Sequence, residues 1–228
     1  MTINRRFLLK GMALSGLAGL AMAGPVRALA GQSSAPSAAA AARPVLALVS
    51  AGAAESVFLR GAQAAAGSQL QVQRFDQDLD RLLSFERQLR SGQPLRVIGL
   101  LDDATATLVL DMARSAGARV QWLGQHNTVA GVTQHRLLNT EVAEGCARQI
   151  SRQLHACGAG FHIAEERQGS LASPRQLSAP ARGGEHAAEW ASAIGYQLAS
   201  LGGRPAKPAP APASTVLSGS FVSFSIEA

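Results

Sequence analysis

The chain has few of the residues that carry cofactor chemistry or nucleic-acid contacts. Aromatic residues make up 4% of its 228 positions, with one tyrosine and two tryptophans. The basic residues form no patch interleaved with aromatics, so nucleic acid is not an expected partner. No phosphate-binding loop, dinucleotide fingerprint, Gly-x-Ser-x-Gly elbow or His-Glu-x-x-His zinc helix occurs. We therefore expect no cofactor and no metal site, and catalysis becomes a minor hypothesis.

Cysteine is scarce as well, because the chain has only Cys146 and Cys157. One predicted helix holds both, about 16 Å apart along its axis, whereas a disulfide needs Cα atoms within about 7 Å. No Cys-x-x-Cys or Cys-x-x-Cys-His motif occurs. We expect two free thiols in the protein core. A metal cluster with His155 and His162 is not expected, because His155 should point away from Cys157.

Long apolar runs near the N-terminus are missing too. Residues 11–23 are apolar but interrupted by glycine, and a spanning helix needs about 20 mostly apolar residues. The sequence Arg5-Arg6-Phe7-Leu8-Leu9-Lys10 precedes this stretch, and small-residue exits follow at Ala21-Met22-Ala23 and Ala28-Leu29-Ala30. Together they resemble a twin-arginine (Tat) signal peptide. We prefer the second exit, because Arg27 would otherwise lie unexplained near the mature start.

This resemblance implies an address and one partner. Residues 1–30 would be removed after the twin-arginine translocase, reading Arg5 and Arg6, exports the folded protein to the periplasm. No stable membrane anchor would remain after cleavage. Four of the 21 Lys and Arg residues lie in this segment, so the mature chain has 17 of them against 15 Asp and Glu. Its expected net charge is therefore near +2 instead of +6.

The rest of the sequence divides by composition. Residues 31–43 are rich in Ser and Ala and predict a flexible leader. Residues 44–201 alternate between strand and helix patterns. A Pro/Ala linker follows at 202–213, and residues 214–228 alternate apolar with polar side chains. We expect this last segment to be an added edge strand or a loose tail.

Within 44–201, short apolar runs alternate with amphipathic segments, which is typical of βαβ units. Predicted strands cover 45–49, 70–75, 95–101, 119–123 and about 131–138. Predicted helices cover 55–66, about 76–91, 104–116, 141–157 and 185–201. Residues 168–184 show no clear period. The pattern predicts an α/β doubly wound three-layer sandwich with a mostly parallel sheet and a single lobe.

The order of turns and caps between Val45 and Asn127 carries a further resemblance. A Gly turn, a helix ending in Gly-Ala-Gln-Ala-Ala-Ala-Gly, and the stretch Ile98-Gly99-Leu100-Leu101-Asp102-Asp103 are similar to the N-terminal lobe of type I periplasmic binding proteins. That family binds sugars and amino acids between two lobes. The resemblance implies a binding function, while the short chain leaves no room for a second lobe.

Polar residues follow the predicted strands where a crevice is expected. Ligands of open α/β sheets bind beyond the carboxyl ends of the strands, and the candidates there are Ser50, Glu55, Asp102, Asp103 and His126. Helix N-termini would favour anions, and the carboxylates would favour hydroxyls, amines or a metal. Alternatively, the acidic residues simply cap helices. Asp102 and His126 are also the pair that could act in base catalysis if they hydrogen-bond.

Three functions remain open at this point. The first is a non-catalytic periplasmic module that binds a small ligand or another exported protein. The second is an accessory or maturation factor for an exported redox enzyme. The third is a small hydrolase that uses Asp102 and His126.

The export hypothesis makes a direct prediction. Arg5→Lys combined with Arg6→Lys should leave unprocessed protein in the cytoplasm, because lysine does not reproduce guanidinium geometry. Cell fractionation and immunoblotting measure this, with Arg27→Lys as the matched control. Normal periplasmic accumulation of the double variant would contradict the prediction.

Overall fold

The structure is a computed structural model that describes residues 44–50, 57–75, 79–129, 132–139, 143, 145–182, 189–201, 217 and 219–228. The expected export signal with Arg5 and Arg6, the expected leader, Glu55 and the Pro/Ala segment lie outside the described residues.

The described residues form an α/β domain with a single mixed sheet. Its eight strands are β1 (Val45–Val49), β2 (Leu70–Arg74), β3 (Arg96–Asp102), β4 (Arg119–Val129), β5 (Val132–Asn139), β6 (Gly160–Arg167), β7 (Arg175–Ala179) and β8 (Ser220–Glu227). Its helices are α1 (Val57–Ala66), α2 (Leu79–Leu89), α3 (Asp103–Ser115), α4 (Cys146–Ala156) and α5 (Glu189–Ser200). The strand order is β2-β1-β3-β8-β4-β5-β6-β7.

Helices cover the sheet from both sides, as the sequence predicts. Successive residues of a strand point to opposite faces, so Ala47 and Val49 pack with α1, α4 and α5, whereas Leu46 and Leu48 pack with α2 and α3. Five successive buried apolar residues in β1 follow from this double coverage. In the described part of the chain, no helix has the length and apolarity needed to cross a bilayer.

The expectation of a mostly parallel sheet is wrong. Only β1–β2, β1–β3 and β5–β6 pair in parallel, while the other four pairs are antiparallel. One cause is local: just two residues separate β4 from β5, and a parallel connection needs a crossover of a dozen or more. The other cause is the position of β8.

Strand β8 lies in the middle of the sheet, which corrects the expectation of an edge strand or a loose tail. It runs antiparallel to β3 on one side and to β4 on the other. Six successive residues, 221–226, are buried. Strands β3 and β4 are therefore parallel to each other, and α3 connects them as a βαβ unit. Strand β8 is inserted between these two strands.

Glycines permit close approaches around this centre. A Cβ atom on Gly99 of β3 would lie 2.2 Å from Cζ of Phe224, so the bare backbone makes room for the phenyl ring on β8. A Cβ atom on Gly195 of α5 would lie 2.1 Å from the carbonyl oxygen of Phe58 in α1. The second contact holds α5 against α1, over the face of the sheet that carries Ser223.

Candidate functional site

Polar side chains occur on both faces of the β4–β5 hairpin, in two different environments. His126 lies opposite His135 across the hairpin, and both side chains point toward α5. The neighbouring positions, Gln125 opposite Arg136, point to the other face and are exposed. The hairpin therefore carries a buried polar cluster on one side and a polar groove on the other.

The buried cluster is a continuous hydrogen-bonded chain through four strands. Trp122 Nε1 lies 2.9 Å from Ser223 Oγ, and Ser223 Oγ lies 2.7 Å from His126 Nε2. The two Nδ1 atoms of His126 and His135 are 2.8 Å apart. His135 Nε2 is 2.9 Å from Thr133 Oγ1, and that hydroxyl donates to the carbonyl oxygen of Gly160 at 3.2 Å.

The two ends of the chain assign every proton between them. Trp122 Nε1–H can only donate, and the Gly160 carbonyl can only accept. Since Thr133 donates to Gly160, its oxygen accepts from Nε2–H of His135, so Nδ1 of His135 is bare. Nδ1–H of His126 then donates to that bare nitrogen. Nε2 of His126 accepts from the Ser223 hydroxyl.

Burial keeps both imidazoles neutral, in agreement with this assignment. Desolvation lowers the pKa of His135 from 6.5 to about 3. Desolvation also lowers the pKa of His126 well below its ordinary value, and the neighbouring His135 lowers it further. None of the hydrogen-bond partners in this chain is a carboxylate, so no partner would compensate the positive charge of a protonated ring.

Ser223 and His126 have the distance of a nucleophile and its base, but they are closed to substrate. Ser223 is 0% exposed and His126 is 1% exposed. The Trp190 ring of α5 covers both imidazoles, with ring centres 4.9 Å from His126 and 5.5 Å from His135. An external substrate cannot reach this serine without movement of α5.

Asp102 and His126, the pair expected to act as a base, do not meet. Both residues pair with Phe221, so β8 separates them by two strand spacings, about 10 Å. The Asp102 side chain instead accepts a hydrogen bond from the Thr105 amide at 3.0 Å, and it caps α3. The alternative hypothesis of a helix cap is confirmed for this residue.

The other expected site residues are scattered. Ser50 is half-buried at the end of β1, where its amide donates to the Leu100 carbonyl at 3.4 Å. Glu55 lies outside the described residues. Asp103 is exposed in the first turn of α3 and lines the polar groove of the β4–β5 hairpin. A common crevice that includes Ser50, Asp102 and the His126 side chain is therefore not present.

The groove lies on the face of β4–β7 that α2 and α3 leave exposed. It encloses about 440 Å³. Strand pairing arranges its side chains in two rows, because Ser220, Asn127, Gln134 and His162 are successive neighbours across four strands, and Val222, Gln125, Arg136, Ala164 and Gln176 are successive neighbours across five. The backbones of His126 and His135 form part of its floor.

Its charges are few and of both signs. Arg136 Nη2 lies 3.5 Å from Glu166 Oε1, and both side chains are exposed. Asp103 adds a carboxylate on the side of α3. No phenylalanine, tyrosine or tryptophan is among the lining residues, and most of the lining side chains can form hydrogen bonds.

The expectation of two free thiols is confirmed, but only Cys146 is buried in the core and Cys157 is partly exposed. Cys146 and Cys157 are free cysteines at the two ends of α4. Burial raises the pKa of Cys146 to about 11 and also raises that of Cys157, so both are poor nucleophiles. No group of three or more His, Cys, Asp or Glu residues suited to a metal occurs among the described residues.

Sequence reasoning missed His135, Ser223 and Trp190. One signal was available: a two-residue hairpin loop after Val129 places His126 and His135 opposite each other by counting. The contribution of Ser223 had no such signal, since it depends on the insertion of β8.

Comparison of the chain with protein-family models, curated proteins and solved structures finds no match. The site is therefore interpreted from its own geometry.

The buried pair predicts a loss of stability on acidification. The unfolded chain binds protons near pH 6.5, whereas folded His135 does so only near pH 3. As the pH falls from 6.5 toward 3, the unfolded state therefore binds more protons, and the free energy of unfolding decreases. His135 alone should remove about 2 kcal/mol by pH 5.

Urea unfolding between pH 7.5 and 4.5 measures this effect. His135→Asn should flatten the dependence. His162→Gln, on the exposed face, is the matched control and should leave it unchanged. A wild-type stability that stays constant from pH 7 to 5 would show that the imidazoles are not buried as neutral rings.

Proposed function

We propose that this protein is an exported, non-catalytic module that binds a small polar ligand in the groove over β4–β7. Its expected location is the periplasm, after removal of residues 1–30. The weak likeness to one lobe of type I periplasmic binding proteins supports the same class of function.

A single observation carries the proposal: exposed polar side chains line a concave surface in two ordered rows. Gln125, Gln134 and Gln176 come from three different strands. Because strands of one sheet move little relative to each other, the backbone positions from which these amides project are fixed. A volume of about 440 Å³ falls within the usual range for ligand pockets.

Catalysis is disfavoured by the same geometry. Ser223, which has a base at hydrogen-bond distance, is fully buried behind Trp190. Asp102 caps α3 and does not orient His126. Asp103 is the one carboxylate among the lining residues of the groove, and Glu166 lies outside this lining, beside Arg136.

A thermal-shift screen of small polar metabolites on the mature protein tests binding. A ligand identified there should bind at least about tenfold more weakly to Gln134→Ala and Gln176→Ala, each of which removes one amide. Calorimetric titration measures the affinities. Gln93→Ala, on an exposed turn outside the groove, is the matched control.

Two outcomes would contradict the proposal. One is a screen in which no compound raises the melting temperature. The other is a ligand whose affinity is unchanged in both groove variants and falls in the Gln93→Ala control.

A further inference from the structure

The ligand class can be narrowed from the side chains that line the groove, and this step rests on the proposed binding function. We infer that the groove takes a small monoanionic hydroxy acid, with its carboxylate on Arg136 and its hydroxyls on the surrounding amides.

Arg136 is placed to receive an anion. It lies in the second row between Gln125 and Ala164, and the methyl side chain of Ala164 leaves open space beside it. Its side chain is 70% exposed, and its Nη2 atom lies 3.5 Å from Glu166 Oε1. An exposed single-point ion pair contributes little, so the rest of the guanidinium fork is available for a bidentate carboxylate.

The neighbouring side chains match hydroxyl groups. Gln125, Gln134, Gln176 and Asn127 each present both a donor and an acceptor. A hydroxyl also donates and accepts, so each amide can satisfy one hydroxyl in both directions. A plain fatty acid would instead leave these amides facing methylene groups, without hydrogen-bond partners.

The charges limit the ligand to one negative group. Asp103 lines the groove on the α3 side, and Glu166 stands beyond Arg136. A second carboxylate or a phosphodiester chain would face one of these acids at close range. Phenylalanine, tyrosine and tryptophan, which supply the usual stacking surfaces for nucleobases, are also absent from the lining.

Matched pairs of compounds test the inference on the mature protein. Each aldonic acid is titrated beside its alditol, which keeps the hydroxyls and lacks the carboxylate, and beside acetate and butyrate, which lack hydroxyls. We expect at least one hydroxy acid to bind at least about tenfold more tightly than its alditol and than either simple acid.

Substitutions of Arg136 locate the anion. Arg136→Gln should weaken that hydroxy acid at least about tenfold, and Arg136→Lys, which keeps the charge and loses the fork, should recover part of the affinity. Gln134→Glu places a like charge in the groove and should also weaken binding, which provides a second variant of nearly unchanged shape. Arg148, which is exposed on α4, provides the control, and Arg148→Gln should have no effect.

The outcomes separate this inference from the proposed function. If an alditol, an amine or another uncharged compound binds with an affinity that depends on Gln134 and not on Arg136, the inference is overturned and the binding function stands. If the hydroxy acids bind but ignore both Arg136 substitutions, the inference is likewise overturned. If no compound of any class binds, both fall.

Discussion

The hydrogen bond between Ser223 and His126 joins β8 to β4 at the centre of the sheet, and the other buried polar contacts depend on it. Ser223 belongs to β8, the strand that fills the gap between β3 and β4. A shift of β8 by one residue would place Phe224 where Ser223 meets His126, and it would move the whole apolar row of β8 to the wrong face. Phe221 is the residue that pairs with His126, and Ser223 pairs with Gly124, diagonally across from the imidazole. A shift by two residues in one direction would place Phe221 opposite Gly124 and leave Nε2 of His126 without the Ser223 hydroxyl.

The rest of the buried chain depends on this bond in turn. A Cβ atom on Gly124 would lie 2.8 Å from both Ser223 Oγ and His126 Nε2, so glycine is required between Trp122 and His126. Burying so many polar groups is favourable only when each is paired, and here the donors and acceptors match from Trp122 to Gly160. We regard the network as a device that specifies strand register, consistent with the use of buried polar groups for specificity in other folds.

The proposed binding groove lies on the opposite face of the same strands. The residues that alternate with His126 and His135 are Gln125, Asn127, Gln134 and Arg136, which line the groove. The buried chain fixes the pairing of β4 with β5, and this pairing in turn sets the distance between the groove side chains.

Local patterns predicted much of this fold, because local forces determine those parts. The apolar run of β1 and the cap of α3 by Asp102 needed only neighbours in sequence, and both are confirmed. The prediction of a mostly parallel sheet was wrong because it assumed that βαβ units continue after β4. The two-residue loop after Val129 instead makes β4 and β5 an antiparallel hairpin. Strands β6 and β7 have mixed polarity, since one of their faces is exposed, and gave weak signals.

The central place of β8 could not be predicted from local pattern. Its alternation of Ser with Phe and Val is typical of a strand with one solvent-exposed face. Both faces of β8 are nevertheless buried, and Ser223 is hydrogen-bonded to His126. The candidate site was missed for the same reason: which polar residues share a face depends on register between distant strands. Of the predicted site residues, Asp103 and His126 are among the lining residues of the groove.

The tautomers of His126 and His135 test the central contact most directly. Nitrogen-15 NMR of the imidazole rings at neutral pH should show two neutral rings of opposite type, with the proton on Nδ1 in His126 and on Nε2 in His135. A coupling across the Nδ1–H···Nδ1 bond would identify the pair. Two rings of the same tautomer, or an imidazolium at pH 7, would contradict the hydrogen-bonded chain from Ser223 to Gly160.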